Sequence, residues 1–168
     1  MNKPILATAL LALAVAGCAP KPKKLPPAPI TDNGGGGAVT PTDNGAPVPG
    51  SQADFIAKVT SDRIFFATDS SDVDAEDQAT LRSQAAWLAQ FPRVRATIEG
   101  HADERGTREY NIALGERRAN ATKNALAALG VDPGRMTVIS YGKEKPDAMG
   151  SDEAAWARNR RAVTVTVQ

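Results

Sequence analysis

Two residues of opposite charge stand out by type and spacing: Asp103 and, fifteen positions later, Arg118. Asp103 lies in the segment Gly100–Gly106, directly after the alternating run Val94–Glu99, which predicts a strand. Arg118 lies within a helical pattern that ends near Leu129. A carboxylate on a strand-to-helix turn and a guanidinium on the following helix are typical of a binding site, because a rigid scaffold holds such a loop in a fixed geometry.

Arg118 is predicted to lie within the apolar face of its helix. At 100° per residue, a band of roughly 80° contains Leu114, Arg118, Ala121, Ala125 and Leu129. A buried guanidinium lowers stability unless it is paired. One interpretation is a structural ion pair with Asp103, Glu104 or Glu99. The other is a pocket in which Arg118 binds a ligand carboxylate through two parallel hydrogen bonds and Asp103 binds an ammonium group. Such a pocket suits a zwitterion, for example the free end of an amino acid, and spacing alone leaves both interpretations open.

Residue types that support catalysis or metal binding are scarce. His101 is the only histidine and Cys18 the only cysteine. His101 and Asp103 would point to the same face of a continued strand, but a catalytic zinc usually needs three protein ligands. The sequence has no His-Glu-x-x-His motif and no glycine-flanked nucleophile elbow. We therefore expect no enzyme activity, no metal and no cofactor.

The first 17 residues are predicted to be a lipoprotein signal peptide. Lys3 supplies a positive charge, and Ile5–Val15 is an apolar run about eleven residues long, too short to span a bilayer of roughly 30 Å. Small residues precede Cys18, an arrangement that resembles a bacterial lipobox. The expected product carries S-diacylglycerol and an N-acyl chain on Cys18, and position 19 is not the aspartate that resembles an inner-membrane retention signal. We expect an outer-membrane anchor with the rest of the chain facing the periplasm.

Residues 18–53 are predicted to be a disordered linker and residues 54–168 one domain. Eight of the twelve prolines and six of the fourteen glycines lie between Pro20 and Gly50, a composition that buries too little apolar surface to fold. The remaining stretch has the size of one domain with a single core. From Ser51 onward, 16 Lys and Arg residues face 17 Asp and Glu residues, so no basic surface for nucleic acid is expected.

Strands and helices are predicted to alternate through the domain. Strands are expected at Arg63–Phe66, Val94–Glu99, Arg135–Tyr141 and Val163–Val167. Helices are expected from the cap Asp74 to Phe91, from the cap Thr107 to the left-handed Gly130, and from the cap Ser151 to about Arg158. Because two strands alternate cleanly, we predict an α+β fold with two layers, in which helices cover one face of the sheet and the other face is partly exposed.

Two other features are interpreted as structural. Trp87 and Trp156 each fall within a predicted helix, away from the Gly100–Gly106 segment, and we expect them to pack at the core or at its edge. The charged cluster Asn159–Arg161 is expected to be a helix end near the last strand, where cations are favourable on dipole grounds. We do not place it in the pocket.

Four sequence blocks, in order, resemble the OmpA-like peptidoglycan-binding domain. They are Gly100–Thr107, Tyr110–Asn120, Ser140–Pro146 and Asn159–Val163, and the resemblance extends from about Ile64 to Val167. It implies a β-α-β-α-β-α-β order with a mixed sheet. It also implies that Asp103 and Arg118 bind the zwitterionic end of diaminopimelate in the peptidoglycan stem peptide. The same resemblance assigns the rest of the pocket to Asp69, Tyr110, Asn111 and Leu114.

The resemblance further implies the role and partners of the protein. Lipid-anchored members of this family tether the outer membrane to peptidoglycan, and they support envelope integrity and cell division. They also bind the periplasmic propeller protein TolB, by a surface that overlaps the peptidoglycan-binding face. The sequence indicates neither the oligomeric state nor the stem-peptide variant that is preferred.

The lipid anchor leads to a direct prediction for Cys18. Substitution Cys18→Ala removes the thiol that accepts diacylglycerol, so we expect an unprocessed precursor or a form that fractionates with soluble periplasmic proteins. Membrane fractionation followed by mass spectrometry of the amino-terminal peptide measures this. Full retention of the Cys18→Ala protein in the outer-membrane fraction would contradict lipidation at this residue.

Overall fold

The computed structural model describes residues 46–167. The predicted signal peptide, Cys18 and most of the predicted linker lie outside this range. The chain order of the elements is α1 (Gln52–Lys58), β1 (Arg63–Phe65), α2 (Ala75–Gln90), β2 (Arg95–His101), α3 (Arg108–Ala128), a 3-10 turn (Pro133–Arg135), β3 (Met136–Gly142), α4 (Glu153–Asn159) and β4 (Arg161–Val167). No helix within the described range is long and apolar enough to cross a membrane.

The four strands form one mixed sheet in the order β1-β4-β2-β3. Strand β4 is antiparallel to both β1 and β2, whereas β2 and β3 are parallel. A parallel pair needs a long crossover connection, and the 21-residue helix α3 supplies it. The predicted α+β fold with a mixed sheet is confirmed, and the turn that carries Asp103 follows β2 at the start of this crossover.

Local capping explains where the helices begin and end. The side chains of Asp74 and Thr107 accept hydrogen bonds from the main chain of α2 and α3, as predicted. Gly130 follows α3 with φ +94°, the left-handed conformation expected after a helix end. The predicted cap Ser151 is wrong by one residue. Asp152 caps α4 instead, because its carboxylate accepts from the Ala155 N–H.

Helix α1 was not predicted, and it crosses the predicted boundary between residues 53 and 54. Ser51 caps it, and Asp54 in its first turn is only 2% exposed. The Asp54 carboxylate accepts from the indole Nε1 of Trp87 and from the Gly50 main chain, and it pairs with Lys58 at 2.8 Å. The folded domain therefore includes residues before 54, because the hydrogen bond from Trp87 to the buried Asp54 carboxylate joins this short helix to α2.

The sheet is covered on one face and partly exposed on the other, as predicted. Along β2, Ala96 and Ile98 are buried in the core, whereas Thr97 and Glu99 are half-buried. The registered partners of the two buried residues on β4 are threonines, so the polar residues of β4 lie on the helix side of the sheet. Thr164 donates to Gln84 of α2 and Thr166 donates to Gln52 of α1. Paired hydroxyls thus replace part of the apolar layer at that strand.

Two glycines set the distance between α3 and the sheet. A Cβ atom on Gly100 of β2 would overlap the carbonyl oxygen of Gly115 on α3. A Cβ on Gly115 would in turn overlap the hydroxyl of Ser140, which donates to the Ile112 carbonyl at 2.7 Å. Backbone therefore packs directly against backbone at this point, and α3 lies closer to β2 than side chains would allow.

We expect Gly100→Ala to lower the free energy of unfolding by about 3 kcal/mol, because the new methyl group meets main-chain atoms that cannot rotate away. Urea denaturation followed by circular dichroism measures the change. Gly134→Ala is the matched control: its Cβ would lie 3.3 Å from its nearest neighbour, an Asp132 carboxylate oxygen on the surface. An equal loss in both variants would contradict the close packing of α3 against β2.

Candidate functional site

A cavity of about 280 Å³ opens between the loop after β1, the turn after β2 and the first three turns of α3. Its lining residues are Thr68, Asp69, Asp103, Arg105, Gly106, Tyr110, Asn111, Leu114 and Arg118. All six residues that were predicted to form the pocket line this one cavity. Thr68, Arg105 and Gly106 were not predicted. Residues from three separate parts of the chain therefore meet at one opening.

Arg118 is completely buried, and its partners are main-chain carbonyl groups. The guanidinium donates from Nε to Ser70 O at 2.8 Å, from Nη1 to His101 O at 2.9 Å and from Nη2 to Ala67 O at 3.1 Å. Within the described residues it forms no ion pair, so the interpretation as a structural pair with Asp103, Glu104 or Glu99 is wrong. Burial lowers the pKa of Arg118 to about 10, while the nearby Asp103 charge opposes that shift.

The hydrogen-bond inventory of Arg118 leaves capacity for a ligand. A guanidinium carries five N–H groups, and three of them are used by carbonyl oxygens. One N–H on each of Nη1 and Nη2 therefore remains. A carboxylate can accept hydrogen bonds from both terminal nitrogens of a guanidinium in parallel.

Asp103 pairs with Arg105, a residue that sequence spacing did not indicate. Arg105 donates from Nε to Oδ1 at 3.1 Å and from Nη2 to Oδ2 at 2.7 Å, and its main-chain N–H also donates to Oδ1. Arg160 lies on the other side, with Nη1 3.6 Å from Oδ2. Burial alone would raise the pKa of Asp103, but the hydrogen bonds and charge of Arg105, with a smaller contribution from Arg160, lower it overall. The carboxylate is therefore ionised at neutral pH.

Two residues that were placed away from the pocket are adjacent to it. The Asn159–Arg161 cluster was predicted to lie outside the pocket. In the structure, Arg160 contacts Asp103, so the cluster adjoins the site. Trp156 is also adjacent: its Nε1 donates to Glu104 at 3.0 Å, and the Arg105 guanidinium lies 4.2 Å from its ring centroid. No sequence signal indicates either contact, because α4 reaches the loop only through tertiary packing.

The other predicted residues lie at the rim of the cavity, support the loop beside it or form its floor. Asp69 lies at the rim with φ +55°, and the Tyr110 hydroxyl donates to its carboxylate at 3.3 Å. Asn111 is buried and donates to the carbonyls of Arg105 and Thr107, so its side chain supports the loop. Leu114 is 3% exposed and forms the apolar floor.

His101 contributes its main chain to the site. Its carbonyl accepts from Arg118, while its imidazole is 2% exposed and lies 5.6 Å from the Tyr141 ring. Burial, and secondarily the charge of Arg161, lowers the pKa of His101 to about 4. Between residues 46 and 167, no group of three or more His, Cys, Asp or Glu side chains is arranged to hold a metal ion.

Comparison with known proteins identifies relatives over nearly the whole chain. A model of the OmpA family matches residues 65–160. The peptidoglycan-associated lipoproteins of Rhizobium meliloti (strain 1021) and Agrobacterium fabrum (strain C58) are each 54% identical over 164 residues, which cover 98% of this chain and 88% of each relative. The names of both relatives describe lipoproteins associated with peptidoglycan and not enzymes.

Solved structures show the same fold. The crystal structure of the peptidoglycan-associated lipoprotein from Burkholderia pseudomallei is 46% identical with a TM-score of 0.62, and the match covers 67% of this chain and 93% of that one. The carboxy-terminal domain of Helicobacter pylori MotB is 21% identical with a TM-score of 0.59, over 64% of this chain and 84% of that chain. The second similarity concerns the fold alone.

The low pKa of His101 predicts a specific loss of stability in mild acid. The folded pKa of about 4 lies below the ordinary value of 6.5, so the neutral imidazole is favoured in the fold. This contribution is complete above pH 6.5 and is lost as the pH falls toward 4. We expect the free energy of unfolding to fall by up to roughly 3 kcal/mol across that range. Urea titrations at several pH values measure it.

The control for this prediction is His101→Gln, which keeps the main-chain bond to Arg118 and removes the titrating group. We expect its unfolding free energy to depend much less on pH between 6.5 and 4.5 than that of the parent protein. Comparing slopes with pH, not absolute stabilities, corrects for any packing change. Parallel slopes for the two proteins would rule out the buried imidazole as the cause.

Proposed function

Since this chain belongs to the OmpA family, we propose that its pocket binds peptidoglycan non-covalently and tethers the outer membrane to the cell wall. The observation that carries the proposal is a single cavity in which a buried guanidinium with two available N–H groups lies near two carboxylates. The relatives from Rhizobium meliloti and Agrobacterium fabrum are peptidoglycan-associated lipoproteins, which supports the same ligand. The protein acts by binding and is not an enzyme.

The ligand group that fits this pocket is the zwitterionic end of diaminopimelate in a stem peptide. Its carboxylate would accept the two remaining N–H groups of Arg118, whose side chain is buried. Its ammonium would bind the carboxylate of Asp103, with Asp69 on the opposite rim. Tyr110, Asn111 and Leu114 would support or enclose the alkyl chain that joins these groups to the peptide.

Tethering would depend on many weak contacts. Two charge-assisted hydrogen-bonded contacts contribute about 1.5–3 kcal/mol each, so one site is expected to bind in the micromolar range or more weakly. Acyl chains on Cys18 would hold many copies at one membrane. A continuous polymer would then be held through avidity although each contact is reversible.

The same proposal includes a place in the Tol–Pal system. By analogy with the lipid-anchored members of the family, the domain would bind TolB with a surface that overlaps the pocket. Polymer and partner would then compete, and the protein would alternate between the wall and the TolB complex. This exchange would support envelope integrity and cell division.

Binding to purified sacculi tests the pocket. We expect Asp103→Asn to reduce sedimentation with sacculi at least about tenfold, because it removes one charge-assisted contact. Arg118→Lys should have a similar effect, since an ammonium keeps the charge but lacks the parallel N–H pair. Arg118→Ala is unsuitable, because it would leave three carbonyl groups unpaired in the interior.

Glu116→Gln, an exposed change on α3 outside the cavity, is the matched control and should sediment like the parent protein. Circular dichroism spectra and thermal melts of every variant separate lost binding from lost folding. If folded Asp103→Asn and Arg118→Lys proteins both sediment with sacculi as the parent does, the zwitterion pocket is refuted.

A further inference from the structure

The Asp103 carboxylate in the pocket already accepts hydrogen bonds from another residue of the same protein, Arg105. Three N–H groups of Arg105 donate to the two oxygens of Asp103, and Oδ2 also faces the Nη1 of Arg160 at 3.6 Å. A carboxylate offers about four acceptor positions. A ligand ammonium therefore meets Asp103 with most of its acceptor positions filled, and it would approach the positively charged Arg105 guanidinium at contact distance.

Of the three guanidinium groups near Asp103, that of Arg105 is the most exposed. Arg118 is fully buried on three carbonyl groups, and Arg160 is 7% exposed, with its Nε bound to Phe66 O and its Nη2 to Glu153. The Arg105 side chain is 39% exposed. Displacing it returns a charged group to water, whereas displacing either of the others would leave buried carbonyl groups without donors.

The main chain around Arg105 is fixed, so the movement would be confined to the side chain. The Arg105 carbonyl accepts from Asn111 at 2.7 Å. Lys143 donates to the carbonyls of Glu104 and Gly106, on either side. The Arg105 guanidinium lies over the face of Trp156 while it is bound to Asp103, because the ring centroid is 4.2 Å away and the indole Nε1 donates to Glu104.

We propose that Arg105 is a specificity-determining residue that competes with the ligand ammonium for Asp103. The Arg105 guanidinium occupies the carboxylate of Asp103, and a ligand must displace this guanidinium to bind there. An ammonium group alone gains little by doing so, because Arg118 and Arg160 repel it. A zwitterion brings a carboxylate for Arg118 and so offsets the cost of displacement. This inference rests on the proposed binding of a zwitterionic stem peptide.

Three synthetic stem tripeptides separate the charges of the ligand. The side chain at the third position is that of diaminopimelate, which is zwitterionic, of lysine, which carries only the ammonium, or of 2-aminopimelate, which carries only the carboxylate. The parent domain and the variants Arg105→Gln and Arg105→Ala are titrated with each peptide by isothermal calorimetry. Arg108→Gln is the matched control. It removes the same charge three positions along the chain, and the Arg108 side chain is 65% exposed and lies outside the cavity.

If Arg105 occupies Asp103 most of the time, its removal increases the fraction of open sites. We expect both Arg105 variants to bind the diaminopimelate and lysine peptides about three- to thirtyfold more tightly than the parent. The affinity of the Arg105 variants for the 2-aminopimelate peptide should not increase. Arg108→Gln should leave the affinities for all three peptides unchanged. Discrimination against lysine should therefore weaken when Arg105 is removed.

Unchanged or weaker binding of the diaminopimelate peptide by folded Arg105 variants would overturn this inference. Weaker binding of both carboxylate-bearing peptides would instead make Arg105 a direct ligand contact. The proposed function fails by a different result, namely that the parent domain binds none of the three peptides, or that Asp103→Asn binds all of them as the parent does. The two failures are distinguishable in one set of titrations.

Discussion

The buried guanidinium of Arg118 is the interaction on which the rest of the site depends. It binds carbonyl groups of the loop after β1 and of the last residue of β2, so one side chain holds α3, that loop and β2 together. Removing this charge from water is unfavourable, as its lowered pKa indicates, and three hydrogen bonds compensate for the lost hydration. The pocket is thus held open by a group whose partners are main-chain atoms and do not depend on a bound ligand.

This position of Arg118 requires that α3 lie unusually close to the sheet. The contact between Gly100 and Gly115 brings the two main chains together, and Arg118 follows about one turn later on the same side of the helix. A side chain at either glycine would move the helix outward and carry the guanidinium away from the His101 carbonyl. The geometry of the site is therefore set by the absence of side chains at residues that take no part in binding.

The sequence was sufficient for the frame of the fold and for the residues that line the cavity. Periodicity and caps placed α2, α3 and the strands, because those signals are local and depend on neighbours three or four residues apart. The helical wheel predicted the buried face of α3 less accurately. Leu129 was placed on that face but is 41% exposed, whereas Gly115, Ala119 and Thr122 were not placed there and are buried. Hydrophobicity cannot indicate a face that approaches the sheet through glycine and alanine.

The partners of the charged groups could not be read from the sequence, because they are decided by tertiary contacts. The spacing of Asp103 and Arg118 left open whether Arg118 forms an ion pair, with Asp103, Glu104 or Glu99, or lines a pocket with Asp103. In the structure, Arg118 donates to main-chain carbonyl groups. Asp103 pairs with Arg105 and Arg160, which are two and fifty-seven positions away in the sequence. Trp156 likewise meets Glu104 across fifty-two positions. Only the folded chain brings these groups together.

The balance of charge around the cavity favours the proposed zwitterionic ligand. Three guanidinium groups, on Arg105, Arg118 and Arg160, face three carboxylates, on Asp69, Asp103 and Glu153. A purely cationic or purely anionic group would disturb this balance beside buried charged groups, where uncompensated charge is costly. A zwitterion adds no net charge and supplies one partner for each sign. Because Asp103 already pairs with Arg105, binding of the proposed ligand would exchange one set of ionic contacts for another, which would keep each contact weak and reversible.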